Sequence, residues 1–113
     1  MGQLQRTTAV SNISTTIVTA KAGRTINPIA IDVTNTDTAA HIVDFFNGAV
    51  ATPIFTLFVP SDAVTGGAAF HADQELLIRA ISTKMTAGNA LKAASQNAVG
   101  GSGLTFTVDY GRL

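Results

Sequence analysis

Two stretches of the chain alternate apolar and polar side chains with the period of a half-buried strand. In one, Ile29, Ile31 and Val33 are interleaved with Ala30, Asp32 and Thr34. In the other, Leu104, Phe106, Val108 and Tyr110 are interleaved with Thr105, Thr107 and Asp109. Each pattern predicts a core strand with its large residues, Ile29 included, on one buried face. Val, Ile and Thr are abundant elsewhere and suit a pleated surface, whereas no segment carries a helical stripe of adequate length. Gly, Pro, Asn and Asp recur about every ten residues, the punctuation of a sandwich or barrel. Strands are therefore expected near 4–10, 14–20, 25–34, 39–46, 53–59, 68–72, 75–82, 89–95 and 103–110. The predicted fold is all-β, an antiparallel, jelly-roll-like β-sandwich of about eight strands.

The turns refine this picture. Asn47-Gly48 is a strong hairpin signal because both central positions of a type I′ turn need positive φ. A two-residue hairpin there pairs Phe46 with Ala49 and runs into Pro53, which cannot donate to a ladder. A longer connection across 47–52, with the partner strand starting near Ile54, is an equal alternative. Both place Phe45 and Phe46 on opposite faces, and likewise Leu57 and Phe58. A single sandwich core accepts only one of those faces, so the other is a subunit contact or lies under a flanking loop. Thr86-Ala87-Gly88-Asn89 reads as a turn into the strand 90–95, and Gly100-Gly101-Ser102-Gly103 as a hairpin loop.

At 113 residues the chain has the length of one domain, expected to comprise an extended N-terminal arm over 1–12 and a single sandwich over 13–113. Composition adds a constraint on its working environment. Charged residues make up 12% of the chain, seven basic and seven acidic, against about 25% in an average soluble domain. Apolar residues reach 46% and mean hydropathy is +0.32. Little charge means little repulsion between copies, which suits a protein packed against neighbours. The interface expected on this basis includes Leu4 and Val10 on the arm and Phe46 and Phe58 on the hairpin.

Candidate chemistry is sparse. The absence of cysteine excludes disulfides and thiolate metal sites. The N-terminus lacks an apolar stretch for a signal peptide, and no run of about 18 apolar residues suggests a membrane span. The basic residues Arg6, Lys21, Arg24, Arg79, Lys84, Lys92 and Arg112 are scattered singly, not clustered as nucleic-acid binding requires. Gly100–Gly103 is followed by strand-forming Leu104-Thr105-Phe106, not by the Lys-Ser/Thr and helix of a phosphate loop. His71, Asp73 and Glu75 could share a strand face, but the expected reading is solvated polar residues beside a loop, short of a zinc ligand set with its supporting shell. Ser nucleophile elbows and paired carboxylates are missing from the sequence, and Asn12-Ile13-Ser14 is an isolated glycosylation match. No cofactor, metal or catalytic residue is expected.

Several segments, taken in order, resemble small virion proteins of tailed bacteriophages. Ser14–Thr25, with Thr19-Ala20-Lys21-Ala22-Gly23-Arg24-Thr25, is similar to that group's opening strand, "T-A-x-A-G-[KR]-T" turn and second strand. Ile31-Asp32-Val33-Thr34-Asn35 is similar to its "I-x-V-x-N" strand end. Thr86-Ala87-Gly88-Asn89-Ala90-Leu91 through Ser95 resembles its "A-G-[DN]-x-L" hairpin, and Leu104–Tyr110 its final strand. The resemblance covers roughly 14–110, with 60–84 departing from the pattern. It implies a β-sandwich in the virion, and the leading expectation is a non-enzymatic capsid decoration (cement) protein that bridges major capsid subunits. Such a protein would sit on the capsid surface after assembly in the host cytoplasm. It would be a homo-oligomer, expected to be a trimer, whose partners are itself and the major capsid protein, with no direct nucleic-acid or membrane contact. The alternatives are a receptor- or glycan-binding module of a tail or fibre, and a head–tail or tail structural component.

Overall fold

The computed structural model describes residues 3–9, 14–35, 39–60, 69–70, 74–97, 99 and 103–113. Eight strands are present among them: β1 (Gln3–Ala9), β2 (Thr15–Val18), β3 (Ile26–Asn35), β4 (His41–Asn47), β5 (Phe55–Val59), β6 (Ala69–Phe70), β7 (Leu91–Ser95) and β8 (Leu104–Arg112). A helix, α1 (Gln74–Lys84), lies between β6 and β7. The strands form two antiparallel four-stranded sheets, β1-β8-β3-β6 and β2-β7-β4-β5. Strand pairing is nested: β4 with β5, β3 with β6, β2 with β7, and β1 with β8. That nesting, laid over two sheets, is the jelly roll.

Alternation fills the space between the sheets. Leu104, Phe106, Val108 and Tyr110 of β8 are all buried, facing Val43 and Phe45 of β4, Leu57 and Val59 of β5, and Leu91 and Ala93 of β7. The rings of Phe45 and Phe106 meet across the core edge to face, centroids 6.2 Å apart and planes at 87°. Two register shifts adjust the pattern. Between Thr16 and Val18 the shift turns both Ile17 and Val18 inward. Between Pro28 and Ala30 a bulge leaves Ile29 out of the ladder, and its side chain is 54% exposed. Ile29 therefore departs from the buried face that simple alternation assigns to it, because the extra residue of a bulge resets the phase. Pro28 is accommodated where β3 pairs with β8 alone among the described strands, as the missing N–H requires.

The segment 75–82, expected as a strand, is instead α1. Ile78 and Ile81, followed by Met85 just past the helix, present one face at helical spacing; Ile81 and Met85 are buried, and Ile78 packs on the core. The Met85 amide continues the ladder to the Ile81 carbonyl at 3.0 Å. Good helix formers such as Glu75, Arg79, Ala80 and Lys84 make the single apolar face sufficient once β3 lies beneath it. Ser82 Oγ donates to Asn27 Oδ1 at 3.0 Å on that strand. Within the strand expected at 68–72, Ala69–Phe70 form β6, paired with Val33 and Thr34, and the rest lies outside the described residues. Gln3–Ala9, expected as a strand near 4–10 within an extended arm, pairs along its length with β8 as a sheet edge.

The longer β4–β5 connection is the one formed. Phe45 pairs with Phe55, the Ile54 amide donates to the Phe45 carbonyl at 2.7 Å, and a turn is closed by the Val50 amide on the Asn47 carbonyl at 3.1 Å. Gly48 there has φ +59°. The sandwich thus has two ends. The near end carries the connections 19–25, 48–54 and 85–90; at the far end Asn35, His41, Val59 and Ser95 terminate their strands.

Candidate interaction surface

The two outward faces differ in chemistry. On the β1-β8-β3-β6 sheet, register places Thr8, Thr105 and Thr34 in one row, Arg6, Thr107 and Asp32 in the next, and Leu4, Asp109 and Ala30 in a third. Thr8 and Thr105 hydroxyls are 3.2 Å apart. Hydroxyls and mixed charges of this kind are a solvated face, interrupted among the described residues by Leu4 and by the bulged Ile29, which are 69% and 54% exposed.

On the β2-β7-β4-β5 sheet, Ile42 stands directly opposite Phe58, and the two are 41% and 56% exposed. The next row holds Thr56, Asp44 and Ala94. The Asp44 carboxylate accepts from Thr56 Oγ1 and from Gln96 Nε2 at 3.0 Å, so the one acid on this face is held by neutral donors. The third row brings Phe46 beside Lys92 and Thr16. There the connection after β4 folds back, so that Phe46, Lys92, Ser14 and residues 48–51 line a hollow of about 230 Å³. A second hollow of about 230 Å³ is lined by Asn47, Val50, Thr52, Pro53, Ile54 and Lys84. Val50, 50% exposed, borders both.

Of the four residues expected at an interface, Phe46 and Phe58 share this face, Phe58 open and Phe46 partly covered by the flanking loop. Leu4 is exposed on the opposite sheet. Val10 lies outside the described residues. Ile42 was not among the expected residues, although the alternation that buries Val43 and Phe45 puts Ile42 on the same side as Phe46.

The far end gathers three of the four buried polar residues described, Asn35, His41 and Ser95, while Asn47 lies at the near end. His41 is fully buried, its Nδ1 2.8 Å from Ser95 Oγ and 3.1 Å from Asn97 Oδ1. Ser95 Oγ is also 3.1 Å from Asn97 Oδ1, and Asn97 Nδ2 donates to the Ala40 carbonyl at 3.1 Å, which fixes the Asn97 amide orientation. The set is self-consistent when Nδ1 carries its proton and the Ser95 hydroxyl donates to Asn97. In that arrangement the imidazole donates toward Ser95, the reverse of what an activated nucleophile needs. Asn35 Nδ2 donates to the carbonyls of Ala39 and Pro60. These contacts tie strand ends together. His71 and Asp73 lie outside the described residues, and Glu75 belongs to α1. Among the described residues no three His, Asp or Glu side chains gather as metal ligands, and no helix is long and apolar enough to cross a membrane.

No protein-family model, no curated protein and no solved structure matches the chain.

Proposed function

We propose that this chain is a non-enzymatic structural protein of a tailed-phage virion, a capsid decoration protein that self-associates, as a trimer, and bridges major capsid subunits. The observation that carries this reading is the Ile42–Phe58 pair, two large apolar side chains side by side on the open face of a sheet whose opposite number is covered in threonine. Isolated exposed hydrophobics are ordinary, but two large ones side by side, with Phe46 and Val50 on the same face beyond the Asp44 row, support a contact surface in a domain with so few charges. The jelly-roll strand order supports the reading by analogy with viral capsid folds, although fold alone never assigns function. Many weak contacts repeated over a shell sum through avidity, so a patch of this modest size is adequate to the task.

The test is attachment. Purified protein is expected to run as an oligomer in size exclusion with light scattering and to bind heads that lack it. Phe58→Ser should leave folding stability within about 1 kcal/mol, the scale of one cross-strand pair. It should weaken assembly or head binding by about tenfold to a hundredfold, as expected when one large apolar side chain no longer enters an interface. A monomer that ignores heads removes the proposal. Saturable binding to host cells in place of heads reassigns the chain to a tail receptor module.

A further inference from the structure

The basic residues, scattered in sequence, are brought together by the fold. Five of the seven, Lys21, Arg24, Lys84, Lys92 and Arg112, collect at or beside the near end; Arg6 lies on the threonine face and Arg79 within α1. The connections that carry them are tied to one another. The Gly88 amide donates to the Arg24 carbonyl at 2.9 Å and the Gly48 amide to the Ala90 carbonyl at 2.8 Å. Arg24 donates through Nη2 to the Arg112 carbonyl at 2.8 Å and through Nε to the Leu113 carbonyl at 3.1 Å. Arg112 in turn donates to the Thr19 carbonyl at 2.8 Å, its guanidinium carbon 5.2 Å from the centre of the Tyr110 ring. Arg24 and Arg112 thus brace the end, while Lys21 and Lys84 stand exposed on it and Lys92 flanks it.

None of the residues 19–25, 48–54 or 85–90 is acidic. The nearest described carboxylates, Asp44 and Asp109, sit back along β4 and β8 on the outer faces. Among the described residues, the ionised side chains of this end are therefore all cationic. The other exposed residues of this end include Ala22, Val50, Ala87 and Leu113, beside Thr19, Thr52 and Thr86. Gly23 and Gly88, both at positive φ, leave open space where a Cβ would stand, so a partner's surface can approach the backbone closely.

We propose that the near end is a docking surface for an acidic protein surface, with Lys21 and Lys84 as its charge contacts and the exposed alanines and Val50 as its apolar contacts. Charge complementarity selects the sign of the partner. A protein fits better than a nucleic acid because the cations are few, no exposed aromatic is present among the described residues of this end for base stacking, and part of its exposed surface is apolar. In the decoration reading above, this end would face the shell, and the inference rests on that reading only for which protein the partner is.

The test uses Lys21→Glu, Lys84→Glu and the double variant, since neither lysine side chain makes a hydrogen bond among the described residues. Polyglutamate is the acidic-polypeptide probe, with a duplex DNA oligonucleotide of matched charge and phosphatidylglycerol vesicles as competitors in kind. At low salt, polyglutamate should shift the amide resonances of 19–25, 48–52 and 84–90. The double variant should bind about tenfold more weakly, the scale of a few exposed charge pairs, and raised salt should abolish binding in the wild type. Head attachment should weaken with the double variant, while Phe58→Ser leaves polyglutamate binding intact. Equal polyglutamate binding by wild type and double variant, shifts centred elsewhere, or tighter binding of DNA or vesicles overturns the inference. Heads ignored by a wild type whose polyglutamate site maps as described would remove the decoration reading and leave this one standing.

Discussion

Phe45→Ala should destabilise the domain by about 3–5 kcal/mol, the cost of deleting a fully buried aromatic side chain. Phe45 lies on β4, flanked by β7 and β5, and its ring is the largest contribution of that sheet to the interior. It meets Phe106 from the other sheet in an edge-to-face contact, so its removal opens a void at the junction of both layers. The chain has six Phe, one Tyr and no Trp, leaving few large side chains to fill the space. Against a total stability of about 5–15 kcal/mol for a domain of this kind, the loss is enough to populate the unfolded state near physiological temperature. Urea denaturation measures it, with Phe58→Ala as the exposed control at about 1 kcal/mol or less. A Phe45/Phe106 double-mutant cycle should show coupling of about 0.5–1.5 kcal/mol. A midpoint for Phe45→Ala matching that of the control would mean that this ring is not in the core.

Asn47→Ala comes next, at about 2–3 kcal/mol. The Asn47 side chain is buried, and its amide nitrogen donates to the Lys84 carbonyl at 3.1 Å and to Thr86 Oγ1 at 2.9 Å. Its oxygen accepts from the Thr86 amide at 3.3 Å and from Asn89 Nδ2 at 3.0 Å. One side chain therefore closes the C-terminal end of α1 and secures the turn that leads into β7. Alanine leaves several of these groups unpaired in a half-dry setting, where each unmade bond costs more than a formed one contributes. Asp at this position keeps the acceptor but loses both donated bonds and sets a negative charge beside the Lys84 carbonyl, so it should fare no better. Hydrogen exchange locates the effect: protection should fall first in the last turn of α1 and across 86–90. Unchanged exchange there, with unchanged stability, would refute the assignment.

What the sequence could disclose follows from the range of the interactions involved. The β8 alternation and the turns at Gly48 and Gly88 depend on neighbours a few residues away, and they were legible. α1 was not, because Leu76-Leu77-Ile78 is a contiguous apolar run that fits a buried strand as well as a helix. Its inward positions are decided by β3, distant in sequence. Ile29 escaped because a bulge beside Pro28 changes phase without any marker beyond the proline itself. The role of His41 depends on Ser95 and Asn97, which the pairing of β4 with β7 brings near, so no local pattern announces it. The exposed pair was half legible: alternation around Phe58 indicated an outward ring, but its register with Ile42 is a tertiary fact. The cationic end was illegible for the same reason, since Lys21 and Lys84 belong to different connections.

The nested pairing also governs the order in which the chain can fold. Only the innermost pair, β4 with β5, joins near neighbours; β1 must wait for β8, made about a hundred residues later. High contact order of this kind slows folding to the millisecond-to-second range. Throughout synthesis the first strand is left without its mate, at risk of sticking to other nascent chains. Its sequence, Gln-Leu-Gln-Arg-Thr-Thr-Ala, is nearly all polar, and an arginine near its middle discourages mispairing. The hydrophilic character of β1 suits a strand that waits long for its mate.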